Sequence, residues 1–541
     1  MDAAAAVVRG ASAVRWAAAA PIPFVAAVAA VCLLPAVRAN GRLTWSIAGA
    51  AALLAVWHAG LWVRARRREA PPAVAVDVRA QHYVQACAQG AVLAYWGFHW
   101  REVYDAAPLL AAQVAFAYAF DLLLAWSRRG AVTLGFAPIP VVFSINLFLW
   151  FKPDWFAWQF LLIAGALAGR ELIRWERGGR RVHVFNPSSI ALGAVSVGLL
   201  ATGGTSATWG REIAATMADA PHMYAVIVLA SLPGQALFGV ATMTLAAAVT
   251  LYGLGLGYFA LTGTYWFVDS YIPVAVFLGM HLLITDPSTS PRSESGRLAF
   301  GAFYAASVFV LYALLGAAGA PAFYDKLLAV PLLNLAVRGI DRIARRPGGA
   351  RDPSRPWDRA ASAPRRAVVR EPAPRWGLPR LEPRLAGRAR NVAWAGVWIA
   401  VFLGMTSVQA VGDTHRGQWV TFWLAACADG RPHGCRHAAR LTAAYCDAGS
   451  GWACNEYGVL VQPALRPALA AELFARACAL GFTPGCANLD PATAATPERA
   501  PPADADLRIV LRGRTRRLAS LSPAELRDAA CAQGFQTLCG L

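Results

Sequence analysis

The chain reads as long apolar stretches separated by short polar breaks. Apolar runs fall at 18–38, 43–63, 82–100, 108–126, 135–151, 155–173, 188–201, 223–239, 240–262, 266–284, 297–316, 322–339 and 392–411. Most approach the ~20 residues that a helix needs to cross a bilayer. The run 188–201 is short, and Gly203, Gly204, Pro233, Gly253, Gly255 and Gly257 interrupt the stretch that follows. Such breaks are tolerated at membrane depth only where protein buries the backbone or a cavity receives it. The pattern predicts an all-α, polytopic membrane protein of about 12–13 transmembrane helices, some short or broken.

After residue 411 the pattern changes. Of ten cysteines, Cys32 and Cys87 lie in apolar runs and the other eight follow residue 426. The eight form four pairs: Cys427/Cys435, Cys446/Cys454, Cys478/Cys486 and Cys531/Cys539. Each pair reads C-x-x-G-x-x-x-x-C, with Gly430, Gly449, Gly481 and Gly534 in the same place. Four copies of one spacing make an internal repeat. A helix ending on a Gly cap, a tight turn and a second helix would bring each pair face to face. That predicts a C-terminal domain of disulfide-stapled αα-hairpins. Zinc is the competing reading, but it usually takes C-x-x-C or Cys/His knuckles, which are absent here. Disulfides require an oxidising compartment, so this end is expected outside the cytoplasm.

Composition agrees with the pattern. Of 541 residues, 57% are hydrophobic and 15% charged, and the mean hydropathy is +0.43. These values exclude a soluble enzyme, a disordered protein and a collagen-like chain. The net charge of +19 is carried almost wholly by Arg, with Lys152 and Lys326 the only lysines. Much of it sits in short loops and one linker, where it reads as membrane orientation, not nucleic-acid binding. With the N-terminus inside, Arg64, Arg66–68, Arg128, Arg129, Arg174, Arg177, Arg180, Arg181, Arg292 and Arg297 all fall on the cytoplasmic side. Thirteen spans then place the Cys-rich end outside, as the disulfides independently require. Residues 342–390 hold 14 Arg, 8 Pro and 4 acids and are expected to form a disordered cytoplasmic linker near anionic lipid. No cleavable signal peptide is evident at the start.

Familiar catalytic signatures are missing: no Walker loop, no G-x-G-x-x-G opening a helix, no H-E-x-x-H, no G-x-S-x-G and no C-x-x-C-H. His58 and His281 form no obvious ligand pair. Three polar segments remain. His183-Val-Phe-Asn186-Pro187-Ser188-Ser189 opens the run 188–201, as a capped helix start or an anion site. Gly203-Gly204-Thr205-Ser206-Ala207-Thr208-Trp209-Gly210 closes it, as a plain turn or a set of hydroxyl acceptors for covalent modification. Thr285-Asp286-Pro287-Ser288-Thr289-Ser290-Pro291 with Gly296-Arg297 follows the run 266–284, where Asp286 caps a loop or binds a ligand. Asp121 and Asp269 lie inside apolar runs and should face a cavity or a partner.

Phe185-Asn186-Pro187-Ser188-Ser189, followed by a short span, and Thr285-Asp286-Pro287-Ser288-Thr289-Ser290-Pro291 with Gly296-Arg297, resemble a family of membrane proteins. Its members are the related polytopic, flavin-carrying components of the sodium-translocating NADH:quinone reductase and of the Rnf electron-transport complex. The likeness covers about residues 80–340. It implies FMN linked through a phosphoester to a threonine of an S/T-G-A-T segment on the outer side. Thr205-Ser206-Ala207-Thr208 matches that segment, so the resemblance implies attachment at Thr208, with Ser206 in place of the family's Gly. The Asp that usually precedes the motif is missing. The likeness further implies cofactor or cation sites shaped by Thr205, Ser206, Asn186, Asp286 and Arg297, a possible second flavin, a quinone partner and a flavin transferase. The segment 470–489 is similar to cysteine-rich SEL-like repeats, which implies a protein-binding domain.

Five regions follow: 1–80, an N-terminal helical pair and basic loop; 81–340, the flavin-subunit-like core; 341–391, the linker; 392–411, a further span; and 412–541, the repeats. The expected function is a membrane-embedded redox subunit of a bacterial inner membrane, passing electrons across or within the membrane. Its N-terminus would be cytoplasmic and its repeats periplasmic. The alternative is a non-redox scaffold or small-molecule transporter that presents the repeats.

Overall fold

The computed structural model describes residues 6–8, 16–177, 180–344, 385–412, 415–462, 467–490, 496–511 and 520–540. The bulk of the predicted linker, 345–384, lies outside the described residues. The chain divides into two compact units. The first comprises Met1–Met217, Met223–Thr250 and Val274–Leu403, and the second Ala218–His222, Leu251–Pro273 and Gly404–Leu541.

The principal helices up to residue 407 are α1 (Ile22–Val31), α2 (Gly41–Arg67), α3 (Ala80–His99), α4 (Ala107–Arg129), α5 (Pro138–Asn146), α6 (Ala157–Leu172), α7 (Pro187–Thr202), α8 (Gly210–Asp219), α9 (Met223–Phe238), α10 (Ala241–Thr262), α11 (Val274–Leu282), α12 (Glu294–Ala317), α13 (Asp325–Ile343) and α14 (Leu385–Ser407). Each predicted apolar run contains one of them. Among the described residues α2, α4, α10 and α12 are long and apolar enough to cross a membrane, and α8 with α9 adds a pair bent by 98°. The molecule is an all-α membrane protein.

Two runs keep helices much shorter than the hydropathy pattern suggests, and proline is the main cause. The run 135–151 keeps only nine-residue α5, with Pro138 and Pro140 in its first turn. The run 266–284 keeps only nine-residue α11, which starts after Pro273 and stops before Asp286-Pro287. Proline fits the first turn of a helix but not its interior, and the residue before proline avoids the helical region. Nine residues rise about 14 Å, half a hydrocarbon core. Every residue of α11 is buried. Asp269, expected within a span, lies in the loop before α11.

Two small sheets escape the hydropathy reading. β2 (Ala73–Asp77) pairs parallel with β3 (Ala131–Gly135) and antiparallel with β1 (Ala6–Val8). β4 (Arg174–Arg177) and β5 (Arg180–His183) form a hairpin. β2 and β3 each follow an arginine-rich break and β4 and β5 carry arginines themselves, and the strands are too short to stand out beside the apolar runs.

Polar groups inside the first unit find partners between helices. Asp121 of α4 is paired with Arg170 of α6, the kind of neighbour an intramembrane carboxylate needs. Asn146 Nδ2 donates to Gln113 Oε1 at 2.6 Å, and Gln159 Nε2 donates to the same oxygen at 3.1 Å. Close backbone approach fixes another contact. A Cβ on Gly301 of α12 would lie 2.1 Å from the Met243 carbonyl oxygen of α10. We expect Gly301→Ala to push the helices apart at a cost of about 3 kcal/mol. Gly198→Ala, with nothing within 4 Å of the added carbon, is the control. Thermal unfolding in detergent should fall for the first variant and hold for the second.

The second unit carries α15 (Val420–Ala428), α16 (Gly434–Asp447), α17 (Gly451–Val461), α18 (Pro467–Ala479), α19 (Thr483–Ala487), α20 (Asp504–Val510) and α21 (Pro523–Ala532). All four cysteine pairs are bridged as spaced, Cys427–Cys435, Cys446–Cys454, Cys478–Cys486 and Cys531–Cys539. The four repeat glycines sit at φ values of 67° to 98°, the left-handed cap that glycine adopts without strain. The zinc alternative is thereby replaced by disulfides. Tyr445, Trp452, Phe474, Leu507 and Leu526 build the repeat core. The loop 263–273 packs with Trp423, Ala426 and Ala438 in a second cluster: Trp423 Nε1 donates to the Val268 carbonyl at 3.1 Å, and the Thr264 hydroxyl donates to the Pro432 carbonyl at 2.9 Å.

Candidate functional site

The two motif segments meet at one end of α7. Asn186 caps α7, its Oδ1 accepting from the Ser188 amide at 3.1 Å and the Ser188 hydroxyl at 2.8 Å. Its Nδ2 donates to the Leu283 carbonyl beyond α11 at 3.0 Å, and its own amide donates to Asn334 Oδ1 of α13 at 3.0 Å. Asn334 Nδ2 in turn donates to the Thr289 carbonyl at 3.4 Å. Asp286 accepts from the Ser288 amide at 2.9 Å and the Thr289 hydroxyl at 3.3 Å, and lies 3.4 Å from His183 Nε2. Burial pushes the Asp286 carboxyl up, but the hydrogen bonds and charge of His183 and the Ser288 amide outweigh it and hold its pKa below the usual value. Arg297, on the first turn of α12, is buried and donates to the Pro291 and Gly239 carbonyls.

These contacts make the loop 283–293 a latch joining β5, α7, α11, α12 and α13. Arg177, read from sequence only as one more loop arginine, is central to it. It pairs with Asp341 at 2.5 Å and donates to the Ser290 carbonyl at 2.9 Å, while Asp341 also accepts from the Arg292 amide at 2.9 Å. Both partners are under 10% exposed. Removing one side of such a pair strands a buried charge. Arg177→Met should therefore cost about 3–5 kcal/mol, and the double variant with Asp341→Leu should recover much of it. Thermal unfolding of the purified variants checks this.

The hydroxyl segment lies at the opposite end of α7, whose sixteen residues separate the two ends by about 24 Å. Thus Asn186, Asp286 and Arg297 share one region, and Thr205, Ser206 and Thr208 another. Thr208 is 3% exposed. Its hydroxyl donates to the Thr205 carbonyl at 3.0 Å and shares a hydrogen bond with Tyr324. The strand-like bridge Phe151–Thr208 and the Trp209 amide on the Trp150 carbonyl at 2.8 Å hold the segment in place. Ser206 is exposed and Thr205 half-buried. A phosphoester fits the exposed Ser206 hydroxyl, whereas Thr208 has to leave its present hydrogen bonds to carry one.

Beside this segment stands a cluster of indoles that the sequence analysis did not assemble. Trp100 and Trp150 stack with centroids 6.0 Å apart, Trp96 lies 5.1 Å from Trp100, and Trp209 meets Trp100 edge-on at 6.1 Å. Lys152 Nζ lies 5.0 Å from the Trp209 ring and 3.8 Å from Glu212. The signal was present as three tryptophans at the ends of apolar runs and one directly after Thr208, but they come from three separate stretches of the chain. Among the described residues no group of three or more His, Cys, Asp or Glu is placed to hold a metal ion. No family model, curated protein or solved structure matches this chain.

Proposed function

We propose that this chain is a membrane-embedded redox subunit that binds flavin beside the Thr205–Thr208 segment. The indole cluster of Trp96, Trp100, Trp150 and Trp209 carries the reading, because flat aromatic rings stack and exclude water. A bound flavin supplies the redox chemistry. The chain's own residues would orient it, and Lys152 would face its anionic groups. A quinone is the acceptor class we assign. The motif segments at the other end of α7 support membership in the flavin-carrying family named above. In this reading the latch is structural, with Asn186 and Asp286 engaged by the protein.

Topology follows from the same reading. The loop 263–273 and the repeats belong to one compact unit. Their contacts, Trp423 Nε1 on the Val268 carbonyl and the Thr264 hydroxyl on the Pro432 carbonyl, support both lying on one face. With the arginine-rich breaks inside, that face is the periplasmic side of a bacterial inner membrane.

The test is flavin fluorescence of the denatured band after co-expression with a flavin transferase. Loss in Thr208→Ala assigns attachment there, and loss in Ser206→Ala assigns the exposed hydroxyl. A band dark in the wild type, together with a colourless native protein, overturns the reading. A transporter is the second reading. It is favoured by the short buried helices α5 and α11, since broken helices build intramembrane solute sites.

A further inference from the structure

One face of α2 runs from apolar to basic. Leu43, Ile47, Ala50, Ala51 and Leu54 are buried on one side of the helix, and no residue of it beyond Leu54 is buried. On the opposite side Leu53, Val56, Gly60, Val63 and Arg67 recur at alternating intervals of three and four residues, and all five are exposed. Leu53 is 74% and Val56 72% exposed. The stripe is open along its length, since a Cβ on Gly60 would meet nothing within 4 Å. From Leu53 to Val63 the helix rises about 15 Å, the depth of one leaflet of a ~30 Å hydrocarbon core.

The stripe ends in charge. Arg64, Arg66, Arg67 and Arg68 are all exposed, and Glu69 is the only acid between Gly41 and Val76. Trp45 and Trp62, both exposed, lie about 26 Å apart along the helix, the spacing of the two interfacial belts where tryptophan gathers. Arg66 lies over the Trp62 ring, its Cζ 3.9 Å from the centroid. The arginines of the later breaks are spent on the protein: Arg129 and Arg174 pair with Glu171, Arg170 with Asp121 and Arg177 with Asp341. Among the described residues Arg64, Arg67 and Arg68 have no ion pair. Their guanidinium forks, at headgroup depth, match the oxygens of a phosphate.

We propose that this face of α2 holds an anionic phospholipid, its phosphate on Arg64, Arg67 and Arg68 and an acyl chain along Leu53, Val56, Gly60 and Val63. Charge complementarity favours the anionic headgroup, because a zwitterionic lipid brings its own cation beside the arginines. The apolar stripe favours a lipid over a soluble phosphate, because it continues one leaflet deep below the charge. The site stands apart from the hydroxyl segment and does not depend on flavin.

The test places the full-length protein in phosphatidylcholine nanodiscs doped with a small, equal fraction of phosphatidylglycerol or phosphatidylcholine that carries a diazirine in the same acyl chain. After illumination, peptide mass spectrometry reads the adducts on residues 53–63, relative to those on α12. We expect phosphatidylglycerol to label the segment about tenfold or more over phosphatidylcholine, since each arginine near the surface is worth about fivefold for an anionic lipid. The triple variant Arg64→Gln, Arg67→Gln, Arg68→Gln should lose this preference, and the triple lysine variant, which keeps the charge, should retain most of it. Arg67→Gln alone should cut it about fivefold, and replaces the triple glutamine variant if that does not elute as a folded species. Equal labelling by the two lipids, or a preference that survives the glutamine substitutions, overturns the proposal. So does a preference abolished by glycerol phosphate but not by sodium chloride of the same ionic strength, which would assign a soluble anion.

Discussion

Reduction of the four disulfides unfolds the repeats while leaving the apolar helices intact. Each bridge joins cysteines eight residues apart. By the loop-entropy relation a closure of that length is worth about 2.5 kcal/mol, so four contribute about 10 kcal/mol. That matches the whole ~5–15 kcal/mol stability of an ordinary domain. The helices they staple are short: α15 has nine residues and α19 only five, below the ~12–15 at which an isolated helix holds in water. Limited proteolysis of the full-length protein, with and without dithiothreitol, reads the effect. Cleavage within 415–540 should accelerate at least a hundredfold on reduction. Unchanged resistance would show that packing alone holds the repeats.

Mild acid is expected to destabilise the same unit. Burial, with Arg436 and Arg440 nearby, pushes His437 down to about 3, and burial alone takes His415 to about 4. Burial also lowers His433. An unfolded histidine titrates near ~6.5, so the unfolded chain takes up protons that the folded unit refuses. The stability is therefore present above that value and lost as pH falls from it toward the folded values. At pH 5 the loss is about 2 kcal/mol for each of His415 and His437, about 4 together. The aromatic neighbours explain why the rings stay neutral. His415 lies 4.2 Å from Tyr265 and His437 4.5 Å from Trp423, centroid to centroid. Thermal unfolding followed by tryptophan fluorescence between pH 7 and pH 5 should show the fall. His437→Gln should halve it, and an unchanged melting temperature would contradict the burial account.

What could be read from the chain follows the range of the forces involved. The repeats were legible because a Gly cap and two cysteines act within nine residues, and the pairing came out as spaced. The apolar runs were legible as helices because burial in lipid leaves a local imprint. The lengths of two were not, since Pro138, Pro140 and Pro273 cut runs that hydropathy joins. Asn186 read as a helix cap and is one. Its reach to Leu283 and Asn334 was hidden because those partners lie 97 and 148 residues away. Arg177 looked like orientation charge until Asp341 closed on it across 164 residues.

The flavin claim is most directly tested by the visible absorbance spectrum of the native full-length protein, before and after dithionite. The account predicts the two-banded spectrum of oxidised flavin, bleached on reduction, and weakened when Trp100 and Trp209 are replaced by leucine. A colourless protein, from a host supplied with riboflavin and a flavin transferase, would contradict it and leave the transporter reading in its place.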